Sequence, residues 1–159
     1  MAIEDRLDAL EARLQAAEDQ LAIIRLLSTY GPAVDSGSSR EGAALWTEDG
    51  VYDVGGMRRA EGHDAIAALY DSQGHRELIF RGSAHLTATP RITVTGDTAE
   101  AVGYSFVMLR SHKGWYVWRA SANRWTLTRT PDGWRIVERY NRPVDGSEDS
   151  HATLRHGAK

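Results

Sequence analysis

The chain has 159 residues, no cysteine and a formal net charge of −3. That length suits one domain with a real hydrophobic core. The missing thiols exclude disulfides, thiolate metal sites and a cysteine nucleophile. The dispersed arginines and slightly acidic balance argue against a nucleic-acid partner. No run approaches the roughly 20 apolar residues that span a bilayer, and MAIEDRLDAL opens with acidic residues rather than an apolar signal core. A cytoplasmic protein without a membrane partner is the expectation.

Ile3 to Tyr30 reads as a helix. Its apolar residues Ile3, Leu7, Leu10, Leu14, Ala17, Leu21 and Ile24 step by four and three, a heptad seam. Arg6 and Arg13 take g positions and Glu4, Glu11 and Glu18 take e positions. A parallel partner copy would therefore bring opposite charges together. Residues 1–17 are thus a candidate oligomerisation segment for a homodimer or homotrimer. A plain amphipathic helix lying on its own sheet gives the same pattern. After Leu21 the apolar face widens to Ile23, Leu26 and Leu27, as a helix covering a sheet requires.

Pro32 predicts a kink or stop. Ser38 with Glu41 fits a capping box opening a short helix through Ala44, Leu45 and Trp46. EDGVYDVGG reads as a brief strand between turns. GHDAIAALYDSQG reads as a third helix ending near Gly74, with His75 in the following loop.

From Arg81 the period changes to two. Strands are predicted at about 85–95, 98–110, 114–130 and 133–142, joined by tight turns. Helices followed by a meander of long strands make an α+β pattern, with helices gathered on one side of a curved sheet. The globular unit is 18–144, and the polar tail 145–159 is expected to be mobile.

Three features carry chemistry. Ser121, Asn123, Trp125 and Leu127 alternate onto one strand face. Ser and Asn beside Trp and Leu fit a pocket wall, apolar with a few placed polar groups. The same face also fits the wet side of a sheet. Asp35 follows the apolar helix. It reads either as a solvated turn residue or as a carboxylate reaching beneath the helix, where it would orient an imidazole. His85 heads a core strand, whereas His63, His151 and His156 fall in loops or the tail, and His112 falls in a turn. There is no His-x-His, H-E-x-x-H, phosphate loop or G-x-S-x-G elbow, so neither a metal nor a cofactor is expected.

The ordered segments IRLLSTYGPAVDSG, ALWTEDGVYDVGG, GHDAIAALY, AHLTATPRITVTGDTAEAVGYSFV and DGWRIVERYNRPV resemble the nuclear transport factor 2-like superfamily, especially its SnoaL-like and scytalone dehydratase-like members. Helix end and histidine strand are also similar to bile-acid 7α-dehydratase. The resemblance implies a cone: a strongly bent, mostly antiparallel sheet around a cavity closed by N-terminal helices. It implies that Asp35 holds His85 as general acid or base, that Tyr30 matches a catalytic tyrosine, and that Tyr52 matches a pocket tyrosine. Ser121 and Asn123 match a polar pair of scytalone dehydratase, and Arg142 an arginine near the end of the last strand. His112, or Ser111 after a one-residue slip, falls near that enzyme's second histidine.

The implied activity is a cofactor-free lyase, a dehydratase, acting on a hydrophobic carbonyl-bearing cyclic or polycyclic substrate. His85 would remove the α-proton, and Asn123 or Tyr30 would bond the enolate oxygen. Isomerases, polyketide cyclases and non-catalytic hydroxylase β subunits share the superfamily, so fold alone leaves these alternatives open.

Overall fold

The computed structural model describes residues 2–158. One helix, α1 (Ile3–Asp35), continues past the expected end at Tyr30. Pro32 lies inside it and does not end it. A proline this near a C-terminus forfeits a single backbone hydrogen bond, and the last turn still closes through Ser36 and Gly37 amides onto Pro32 and Val34 carbonyls.

A short helix α2 (Ser39–Ala43) follows. The expected capping box is absent, since the Ser38 side chain makes no cap bond, and Trp46 opens a strand instead of lying on the helix. Strands β1 (Trp46–Val54) and β2 (Arg58–Glu61) form a hairpin, then come α3 (Gly62–Tyr70) and α4 (Gln73–Arg81). The loop expected around His75 is therefore a helix. Ser72 caps it, accepting from the His75 amide, and Gly82, at φ 98°, releases the chain into the sheet.

The predicted strand 85–95 is two strands, β3 (Ser83–Thr87) and β4 (Arg91–Thr95), parted around Pro90, which has no amide for the ladder. Both pair with β5 (Thr98–Ser111), which pairs with β6 (Gly114–Thr130), which pairs with β7 (Gly133–Pro143). The seven-stranded sheet has the order β2-β1-β7-β6-β5-β3, with β4 beside β5. Only β1 and β7 run parallel among these pairs. The sheet is curved, unclosed and mostly antiparallel, with the N-terminal helices on its inner face, so the α+β cone expected from sequence is the fold.

The tail is ordered as α5 (Glu148–Arg155), contrary to expectation. Ser147 caps it, Ser150 and Thr153 are buried, and Tyr140 and Arg142 hold its Asp149 at 2.8 and 2.7 Å. Few apolar residues were needed, because polar anchors on β7 fix it.

The core joins Ile23, Leu27, Tyr30 and Val34 of α1 to Trp46, Ile66, Trp125, Leu127, Trp134 and Ile136. Asp19 locks α1 to the sheet. It is buried, accepts a bidentate pair from Arg129 at 2.8 and 2.9 Å and a third bond from the Trp134 indole at 3.2 Å. The first half of α1 has no such contacts: Ile3, Leu7, Leu10 and Leu14 are each more than half exposed. No helix among the described residues is long and apolar enough to cross a membrane.

Candidate active site

Gly31 sets how closely α1 approaches the sheet. A Cβ there would lie 1.9 Å from the His85 carbonyl oxygen, so only glycine permits this packing. One helical turn later, Asp35 reaches β3. Its Oδ1 accepts from the Ser83 hydroxyl and the His85 Nδ1–H, both at 2.7 Å, and its Oδ2 accepts from the His85 amide at 2.6 Å. Burial pushes the carboxyl pKa up, but these bonds and the imidazole's charge outweigh it, so the pKa lies below the ordinary 3.8. Asp35 is thus an ionised acceptor with Nδ1 protonated, which leaves His85 Nε2 as the nitrogen with a free lone pair.

His85 lines a cavity of about 440 Å³. Its apolar wall is Val54, Met57, Leu69, Leu78 and Trp118. Its polar wall includes three tyrosines, Tyr30, Tyr52 and Tyr70, the imidazole of His75, and the guanidinium groups of Arg58 and Arg119. Among the described residues no carboxylate side chain lines it. A larger open groove of about 800 Å³ on the outer side of α4, beside Phe80 and Arg76, holds no histidine or tyrosine.

Trp118 and Arg119 are successive residues that both face the cavity, against the strand rule that neighbours point oppositely. The ladder explains it. Val107 pairs with Arg119 and Met108 with Val117, so Trp118 is an extra, bulged residue. A bulge re-aims side chains in this way, and strand parity alone did not predict it.

The tyrosines are donors. Desolvation, then repulsion from the Tyr52 oxygen, raise the Tyr30 pKa against the opposing pull of Arg139. Desolvation likewise raises that of Tyr70, whose hydroxyl is buried without a partner among the described residues. Both remain phenols near neutral pH. Beneath them lies Arg139, buried, with its guanidinium 4.6 Å from the Tyr30 ring, 4.8 Å from Tyr52 and 5.5 Å from Trp125. No carboxylate pairs with it among the described residues; the aromatic faces and hydroxyl and amide oxygens hold it instead.

Tyr30, Tyr52 and His85 are thus brought together at the cavity, with Asp35 behind His85. Five other predicted site residues are not. Ser121, Asn123 and Trp125 do share one inward face, but that face is packed solid. Asn123 gives both amide protons to Ser105 Oγ and the Ser121 carbonyl and accepts from Arg139 and Asn141. No donor is left for an enolate oxygen. Trp125 is covered by Arg139, and Ser121 is buried in the same layer. Arg142 points to the opposite side, where Asp53 and Asp149 bind it. His112 is exposed in the β5–β6 turn, and the Ser111 hydroxyl is spent on the same turn, donating to the Gly114 carbonyl. Residues missed were His75, Tyr70 and Arg139; the Ser72 cap was the available signal for the first. Among the described residues no cluster of three or more His, Asp or Glu could hold a metal.

A family model for the SnoaL-like domain matches residues 15–140. An NTF2-like protein with a cystatin-like fold from Novosphingobium aromaticivorans is 46% identical, with TM-score 0.89 over 93% of this chain and 96% of that one. A function-unknown protein of Mycobacterium tuberculosis, Rv3472, shares the fold at 24% identity and TM-score 0.70, over 86% and 89% of the two chains. So does a Catenulispora acidiphila protein solved in complex with S-DNPA, at 24% and 0.67 over 84% and 96%. No curated protein matches the sequence. With the family model covering most of its length and the cone built around a helix-held histidine, the chain belongs to the SnoaL-like domain family of the NTF2-like superfamily.

Proposed function

We propose that this protein is a cofactor-independent lyase that removes water from a hydrophobic cyclic or polycyclic carbonyl compound. The observation that carries the reading is His85 on a cavity wall with its Nδ1–H bound to the half-buried Asp35 carboxylate. His85 Nε2 takes the proton α to the carbonyl, and the C–H electron pair moves into an enolate. Tyr30 donates a hydrogen bond to the enolate oxygen as charge develops. The imidazolium then returns that proton to the β-hydroxyl, which leaves as water while the enolate re-forms the carbonyl, giving an enone. Acid–base catalysis contributes roughly a hundred- to ten-thousand-fold, so the phenol contact and water exclusion supply the rest. Returning the proton to the γ-carbon of an unsaturated ketone would make the same dyad an isomerase.

The test is enone formation from cyclic β-hydroxy ketones, followed by ultraviolet absorbance, with wild type and His85→Ala. Turnover in wild type, lost in the variant at an unchanged melting temperature, is expected. Equal rates in both would remove His85 as the base.

We also propose that the exposed heptad stripe of α1 joins copies of the chain in parallel. Sedimentation of the full chain as a multiple of 17.6 kDa, and of a variant lacking residues 1–17 as a smaller assembly, is expected. An unchanged assembly would refute it.

A further inference from the structure

His75 has no place in the mechanism above, yet its ring centroid lies 5.4 Å from that of His85. Its Nδ1 is 2.9 Å from the Tyr70 carbonyl oxygen. A carbonyl only accepts, so Nδ1 carries the proton and Nε2 of the neutral ring is a lone pair. That Nε2 is buried and has no hydrogen-bond partner among the described residues. Burial, then the neighbouring His85, lowers the His75 pKa, which keeps the ring neutral. The two imidazoles therefore differ in kind. A carboxylate accepts from His85 Nδ1, whereas a backbone carbonyl accepts from His75 Nδ1. A buried acceptor left unsatisfied is costly, and on the cavity wall the rings of Tyr70 and His85 lie 5.9 and 5.4 Å from its own.

We propose that His75 is a specificity-determining residue whose Nε2 accepts a hydrogen bond from a hydroxyl carried by the ring system of the ligand. The preferred ligand class is thus a hydroxylated cyclic compound. The inference rests on the reading of this cavity as a small-molecule site, and it adds a second polar anchor distinct from the base. The hydroxyl bound by His75 is retained in the reaction; the leaving hydroxyl faces His85.

The probes are β-naphthol and its methyl ether, which differ in one hydrogen-bond donor. Wild type should bind the naphthol on the order of tenfold to a hundredfold more tightly. His75→Phe should abolish the preference, His75→Gln, which restores an acceptor, should recover part of it, and His85→Gln should keep it. Nitrogen NMR on the wild type reads the same point without a substitution: the unprotonated Nε2 resonance of His75 should shift on adding the naphthol and stay put with the ether. A preference that survives in His75→Phe, one lost only in His85→Gln, a protonated Nε2 in the free protein, or failure of the naphthol to bind would each overturn the proposal. Loss of turnover in His85→Ala with the preference unaffected by His75→Phe would sink this inference alone. A preference governed by His75 with His85→Ala fully active would sink the base assignment alone.

Discussion

Replacing Asp35 by Asn is the sharpest perturbation of the dyad, because it changes one atom of a carboxylate that accepts three bonds within 2.7 Å. An amide offers one oxygen and one NH₂. If its oxygen replaces Oδ1, the NH₂ faces the His85 amide, donor against donor, and a buried N–H is orphaned. If its oxygen replaces Oδ2, that amide stays bonded. The NH₂ then meets His85 Nδ1 and Ser83, and both can accept once the imidazole changes tautomer and the hydroxyl turns. The second arrangement satisfies every group, so it should prevail. Its consequence is a proton on His85 Nε2, where the base was. The stability lost is the difference between charged and neutral hydrogen bonds, about 1–3 kcal/mol. At roughly 2–4 °C per kcal/mol for a chain of this size, the melting temperature should fall by about 2–12 °C. Turnover should fall far more, on the order of ten-thousand-fold, as in a serine protease whose histidine is held in the wrong tautomer. Calorimetry and nitrogen NMR on Asp35→Asn read the two effects separately. Retention of the Nδ1–H tautomer with turnover within about tenfold of wild type would refute the reasoning.

Other perturbations follow from the same geometry. Gly31→Ala puts a methyl 1.9 Å from the His85 carbonyl oxygen and must separate α1 from β3; calorimetry should show at least the roughly 1–3 kcal/mol of an overpacked core, with the dyad bond lengthened in a crystal structure. Arg139→Ala empties the space between Tyr30, Tyr52 and Trp125 and strips Asn123 and Ser105 of a donor, so denaturant unfolding should report a loss of about 3–5 kcal/mol. Stability should also fall with acidification in two stages. His75 has a lowered folded pKa, so its contribution is complete above the unfolded value of about 6.5 and is lost as pH drops below it. Asp19, Asp35 and Asp53 have lowered carboxyl pKa values, so theirs is present above the ordinary 3.8 and lost below it. Melting temperature against pH should show both declines in wild type, and only the lower one in His75→Phe.

How far the molecule was legible in its sequence depends on how local each signal was. Period-two patterning and Gly-Asp turns are local, and β5, β6 and β7 lie where they predict. The Asp35–His85 pair is fifty residues apart in sequence, and spacing alone offered little; family resemblance brought the two together. Parity along β6 placed Ser121, Asn123 and Trp125 on one face correctly. It said nothing of Arg139 entering from β7 and consuming that face. Two differences lie in turn chemistry: Gly74, a helix-end signal, sits inside α4, and Pro90 divides the predicted strand into β3 and β4. The tail failed for another reason. Hydrophobic content underestimates a segment held by Asp149 and a capping serine rather than by apolar burial.

The central claim is that His85 removes a carbon-bound proton inside the cavity. The direct measurement is deuterium entry α to the carbonyl of β-tetralone in heavy water, followed by proton NMR, since it needs enolisation alone and no leaving group. Exchange should be accelerated by the wild-type protein and reduced to the background rate by His85→Gln, with the fold intact by circular dichroism. Exchange at the wild-type rate in that variant, or none above background in either protein, would contradict it.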